Sequence, residues 1–338
     1  MNLLSHSNGI YKMKKEKLSM MEIIKRSIIV FLALLLFGFI IQSVNNLIDN
    51  TKMKSKFKYV RIDGKKMEYK LKGNGSYTVV FDGAIGTNMY QWNEVCKNLE
   101  DNKDITTFTY NRRGYGFNDG GEIRSPENQA KDLKLLLKKA GAPEPYILVS
   151  EEYGSLVAAN FIKLYPDSTI GAVMINPLSK EKLETKEMKD SITVKYYRSM
   201  IESIGSSFAF TSLLDKSGIA MENKLFEEKL SESELDEFNS LKNKKGYREA
   251  VYNELKNIYK NSAADITETE NILKNKSLYI ISNNDDDAIK KIGDPLYTTI
   301  YNGDVSEIPY SVLKPESVVS GINSVIKEAK KIAKNNAQ

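Results

Sequence analysis

Polar and apolar positions along the chain fall into three regimes. The first is an unbroken apolar run: Ser27 to Ile41 reads SIIVFLALLLFGFII without a charge. Gln42, Ser43 and Val44 extend it to about 18 residues, the lower bound for crossing a bilayer core. The second, from residue 57 onward, alternates short apolar runs with segments of helical period. Lys56 to Leu71 reads as two strands around the turn Asp63-Gly64, with Tyr59, Ile62, Met67, Tyr69 and Leu71 in partial alternation. Tyr77–Phe81, Ile105–Tyr110, Tyr146–Val149, Ala172–Ile175 and Leu278–Ile281 are runs of the kind buried on both faces of a sheet. Between them, Pro126 to Ala140 places Ala130, Leu133, Leu136 and Leu137 on one helical face, with Gly141 as a stop. Leu156 to Tyr165 is a second helix ended by Pro166, and Glu316 to Ala333 predicts the last one. Strands alternating with helices predict an α/β domain: a mostly parallel sheet flanked by helices. The third regime, about 179–270, is charged and helical in pattern and contains no convincing strand. It predicts a helical insertion, with helices such as Val194–Ile204 and Glu232–Leu241.

Charge sharpens the first regime. The net charge of +5 is concentrated at one end: residues 1–58 carry ten Lys/Arg and three acids, leaving 39 basic and 41 acidic side chains over the other 280 residues. The basic excess is therefore juxtamembrane, and the globular part has no bias toward nucleic acid. Lys25 and Arg26 abut the apolar run, and Phe39–Gln42 lacks the small residues of a cleavage site. The expectation is an N-terminal tail (1–26), an uncleaved single transmembrane helix (27–44), a polar stalk (45–56) and a domain (57–338) outside the cell membrane. The single cysteine, Cys96, excludes an intramolecular disulfide and a cysteine zinc site. The single histidine, His6, lies in the tail.

The segment YILVSEEYGSLVAANFIKLYP (Tyr146–Pro166) runs from a strand through a tight turn into a helix. It resembles the nucleophile elbow of the α/β-hydrolase superfamily, G-x-S-x-G. Other matches follow in the right order. Asp82-Gly83-Ala84-Ile85-Gly86 resembles the loop that supplies an oxyanion-hole amide, followed by Gln91-Trp92. Tyr110-Asn111-Arg112-Arg113-Gly114-Tyr115-Gly116 resembles the D-R-x-G-x-G turn, with Asn111 at the usual Asp, and Pro315-Glu316 resembles the P-E that opens the last helix. The resemblance covers roughly residues 57–335. It implies that the helical insertion is a lid, that Gly83, Ala84, Ile85 and Tyr153 belong to the oxyanion loop and pocket, and that Arg112 holds loop carbonyls. Tyr115, Tyr153 and Trp92 are candidates for the pocket wall or for packing.

The departures from the family pattern bear on function. Ser150 and Gly154 stand at the two glycine positions of the elbow, so the turn can form, but the nucleophile position is Glu152, preceded by Glu151. The family histidine would fall near Ile308, where Ser306–Tyr310 offers none. The family acid maps to Asp285, Asp286 or Asp287, with Asp286 the candidate, but it has no imidazole to orient. A serine without an adjacent base is a poor nucleophile at neutral pH. The expectation is a membrane-anchored pseudo-hydrolase that binds an unknown small molecule or protein partner. The alternative is a hydrolase of esters or peptides working through Ser150, Ser155 or Glu152. No cofactor is expected. No metal is expected either, since adjacent elbow carboxylates diverge and have no His or Cys nearby.

Overall fold

The computed structural model describes residues 19–52, 55–260, 273–283 and 290–336. Among the described residues helix α1 (Met20–Lys52) comes first, followed by a hairpin, β1 (Lys58–Ile62) and β2 (Lys65–Lys72). There follow β3 (Tyr77–Asp82), α2 (Asn93–Leu99), β4 (Ile105–Tyr110), α3 (Pro126–Ala140), β5 (Tyr146–Glu151), α4 (Gly154–Leu164) and β6 (Thr169–Ile175). Helices α5 (Lys180–Glu184), α6 (Lys186–Gly205), α7 (Phe210–Lys216), α8 (Lys224–Glu227), α9 (Glu232–Leu241) and α10 (Lys245–Lys260) then precede β7 (Ser277–Ser282) and β8 (Thr298–Asn302). The chain closes with α11 (Tyr310–Leu313) and α12 (Pro315–Asn336).

The eight strands form one sheet in the order β1-β2-β4-β3-β5-β6-β7-β8. The hairpin joins antiparallel at β4, and every pairing from β4 to β8 is parallel. The period of two in each strand sends alternate side chains to opposite faces. Val80, Phe108, Leu148 and Met174 pack against α3 and α4; Val79, Phe81, Ile147, Val149 and Val173 pack against α2 and α12. Burial on both faces explains why these strands read as continuous apolar runs.

Helix α3 has the predicted bounds because both ends are written locally. The Ser125 hydroxyl accepts from the Asn128 amide at 3.2 Å, Pro126 opens the first turn, and Gly141 ends it at φ 72°. Two elements differ from expectation. Strand β8 has no apolar signature because it is an edge strand, with Ile300 and Tyr301 exposed. Helix α1 runs from Met20 to Lys52, well past both ends of the 27–44 run, so most of the expected polar stalk is helical. Its apolar part, Met20–Ile48, is long enough to cross a membrane.

Candidate functional site

The carboxyl ends of β3 and β5 lie side by side, Asp82 opposite Ser150, and the two turns that follow form the floor of the site. At the β5–α4 turn the chain takes φ +49° at Glu152, a left-handed conformation that is costly for a side-chain-bearing residue. Gly154 is the elbow residue that steric contact fixes: a Cβ there would lie 2.4 Å from the Asp82 carbonyl oxygen. The strained turn of the motif is present, and a glutamate occupies its apex.

The Glu152 side chain folds back over the β3 loop, and its Oε2 accepts the Ile85 N–H at 3.0 Å. Ile85, Glu152 and Ile308 line one cavity of about 700 Å³ together with residues of the helical segment, among them Lys195, Arg198, Met221 and Arg248. Three positions read from separate parts of the sequence are thus brought to one place. The helical segment between β6 and β7, the lid, forms the opposite wall.

Glu151 points the other way and is fully buried. Its Oε2 accepts from Gln91 Nε2 at 2.8 Å, from the Ser311 hydroxyl at 2.6 Å and from the Ser311 N–H at 3.3 Å, and its Oε1 accepts the Tyr310 N–H. Burial pushes its carboxyl up to about 7, against the pull of the Ser311 and Tyr310 donors. Glu151 thereby ties the start of α11, just after Ile308, to the end of β5. Gln91 extends the network, its Oε1 accepting the Ala84 N–H at 3.1 Å and the Thr87 hydroxyl at 2.6 Å.

Several residues assigned to the pocket lie behind its wall. Tyr153 is wholly buried, its ring 5.3 Å from the Arg112 guanidinium and its hydroxyl accepting from Asn257 Nδ2 at 2.9 Å. Trp92 and Tyr115 are likewise buried. The Gly83 and Ala84 carbonyls are turned to Arg112, at 2.8 and 3.2 Å. Arg112 is the structural residue that the family turn implies. It also pairs with Asp82 and, through Nε and Nη2, with Glu254 at 2.6 and 3.0 Å. Burial raises the carboxyls of Asp82 and Glu254, and Arg112 draws both back down.

The two displaced serines differ in their surroundings. Ser150 Oγ is buried with no hydrogen-bond partner. Ser155 Oγ donates to the Glu152 carbonyl at 2.5 Å and accepts the Leu178 N–H at 3.0 Å. Asp285, Asp286 and Asp287 lie outside the described residues. Among the described residues no group of three or more His, Cys, Asp or Glu side chains could hold a metal. Sequence reasoning missed the lid residues that hold the loop after β3. Tyr247 donates to the Gly86 carbonyl at 2.7 Å, while Tyr115 accepts the Gly86 N–H at 3.2 Å and donates to Glu254 at 2.7 Å. Nothing local to Tyr247 or Glu254 signals a partner some 140–160 residues away.

A twisted parallel sheet with an antiparallel hairpin at one edge, a strained elbow after β5 and a lid between β6 and β7 define the α/β-hydrolase fold. The chain has the α/β-hydrolase fold, and its residues 78–229 match the family model described as serine aminopeptidase, S33. It is similar to uncharacterized protein YqjL of Bacillus subtilis (strain 168), 32% identical over 107 residues, or 31% of this chain and 42% of that protein. The match thus spans less than half of that relative's length. Among solved structures it is similar to an epoxide hydrolase from Bacillus megaterium, with TM-score 0.60 and 15% identity over 80% of this chain and 100% of that one. It is also similar to Cfl2 from Burkholderia cenocepacia, with TM-score 0.61 and 14% identity over 79% and 94%. At such identities the likeness concerns the fold.

Proposed function

We propose that this chain is a membrane-anchored, non-catalytic member of the superfamily, whose cavity serves as a ligand- or partner-binding module on the extracytoplasmic side. One observation carries the reading: the Glu152 carboxylate sits on the Ile85 amide. In a working hydrolase that amide must be free to meet the oxyanion that develops in the transition state. Here a side chain of the protein already satisfies it, with a carboxylate where the charge would appear. Ile308 lines the same cavity near where the family histidine would fall, so no imidazole is at hand to activate a nucleophile or to release an ester formed on Glu152. The tie from Glu151 to Tyr310 and Ser311 supports the same reading, since it holds in place a loop that presents Glu307 and Ile308 to the cavity and no imidazole. The N-terminal helix supports membrane anchorage, and Lys25 and Arg26 at its start favour an inside tail.

The test uses the full-length chain in lipid nanodiscs, exposed to a fluorophosphonate serine probe and to short-chain activated esters, beside Glu152→Gln. The expected result is no labelling and no turnover above buffer for either protein. A labelled serine, or turnover that Glu152→Gln abolishes, overturns the reading.

A further inference from the structure

Helix α1 does not stand apart from the domain. Its less exposed positions, Leu35, Gly38, Gln42 and Asn46, recur at helical spacing and define one face. Gly38 packs against the backbone of Phe208, in the turn between α6 and α7: a Cβ at position 38 would lie 2.2 Å from the Phe208 carbonyl oxygen. On the same face Gln42 is buried and donates from Nε2 to Asn46 Oδ1 at 3.1 Å, so these two amides are turned toward the domain side of the helix.

The contact fixes the lid relative to the bilayer. Gly38 lies inside the apolar run, four residues before Gln42, the first polar side chain after it. At 1.5 Å per residue that is about 6 Å below the polar end of the run. The turn at Phe208 is therefore seated about 6 Å inside the hydrocarbon, a depth at which interfacial helices bury their apolar faces. On either side of this turn the lid exposes large apolar side chains: Val194, Ile201 and Ile204 along α6, Phe210 and Leu213 on α7, and Ile219 just beyond. Each is between 46% and 66% exposed. Tyr197 lies on the same stripe of α6, with its ring 6.0 Å from that of Tyr259. Tyrosine favours the membrane–water boundary, where its ring is in apolar surroundings and its hydroxyl is wet. Large apolar side chains clustered on one exposed face mark an interaction surface.

We infer that this face of the lid, from Val194 to Ile219, is seated in the outer leaflet of the membrane beside α1, making the lid a second, interfacial attachment of the domain to the bilayer. The inference rests on α1 spanning the membrane. The lid helices lie along the membrane surface, with their apolar sides in the upper hydrocarbon and their charged sides toward the domain. Lys195 and Arg198, on α6, line the cavity that holds Glu152, so the helix that meets the lipid also walls the site.

The experiment uses the full-length chain with Cys96→Ser, reconstituted in phosphatidylcholine–phosphatidylglycerol vesicles. One cysteine at a time is introduced and labelled with an environment-sensitive fluorophore: Leu34→Cys in α1, Ile201→Cys and Leu213→Cys in the lid, and Lys138→Cys at the end of α3. Lys138 lies near the amino ends of the strands, away from the lid, and is exposed. Spin-labelled lipid is the quencher. The expected result is quenching at positions 34, 201 and 213 that is roughly twofold or more above that at 138. In the Gly38→Leu variant, quenching at 201 and 213 is expected to fall while that at 34 persists. Quenching at 34 with lid labels no different from 138 overturns the inference and leaves the anchor standing. Lid labels that are shielded from water yet untouched by spin-labelled lipid overturn it in favour of a protein partner. No quenching at 34 overturns the anchor itself and the inference with it.

Discussion

Glu151 is where the site acquires a pH dependence. Its carboxyl stands at about 7 in the fold against an ordinary value of 4.5, raised by burial. A carboxyl raised on folding is bound to its proton more tightly in the folded state. Its contribution to stability is therefore complete below about pH 4.5 and is lost as the pH rises through 7. The full difference amounts to about 3 kcal/mol. Comparing thermal unfolding of the parent chain and Glu151→Gln from pH 4.5 to 8 isolates this group from other buried carboxyls. The parent is expected to lose more stability than the variant across that window, and parallel curves would count against the assignment. Arg112 offers a second test at the same scale. Removing it leaves Asp82 and Glu254 buried without their cation. Arg112→Ala is expected to lose about 3–5 kcal/mol at pH 7. The loss shrinks toward pH 5, because both carboxyls are already raised by burial and take up protons once the guanidinium is gone. Chemical denaturation at the two pH values measures this.

Among the elements, the elbow and the lid depend on each other. The elbow keeps its strained turn because Gly154 lets α4 start against the β3 carbonyls. Gly154→Val sets a branched side chain 2.4 Å from the Asp82 oxygen and must push α4 away from β3. A loss of about 2 kcal/mol or more is expected, read by the midpoint of urea unfolding. On the other side, the lid supplies Glu254 and Tyr247, which hold Arg112 and Gly86 and so position the Ile85 amide. The loop that follows β3 is therefore held partly by side chains of the lid. The same lid reaches back to α1 through Phe208, so α1, lid and site form one continuous chain of packed elements.

At the scale of the whole molecule, the sheet carries two cores, one on each face, and both thin out toward its edges. Strands β3, β5 and β6 lie at the centre with nearly every side chain buried, whereas β8 and β1 are largely exposed. Amide hydrogen exchange is expected to be slowest in β3, β5 and β6 and fastest in β8, with β1 intermediate to fast. Comparable protection in β8 would contradict an uncovered edge.

The sequence alone determined what depends on local periodicity and local chemistry. Apolar runs located β3 to β7 because strands buried on both faces cannot hide their composition. Ser125, Pro126 and Gly141 located α3 because helix ends are written in capping residues. The order of the loop, turn and elbow motifs identified the superfamily, and Glu152 and the missing histidine were visible as departures from it. Only the tertiary structure decided the rest. It placed Glu152 on the Ile85 amide, aimed Glu151 at α11, set Tyr153 behind the wall and recruited Glu254 and Tyr247 from the lid. It also extended α1 through the expected stalk and against Phe208, and added β8 at an edge that needs no apolar pattern. The physical reason is common to these cases. A buried polar group must find a partner wherever the fold brings one within hydrogen-bond reach, and that partner is chosen by proximity in space, which spacing along the chain does not encode.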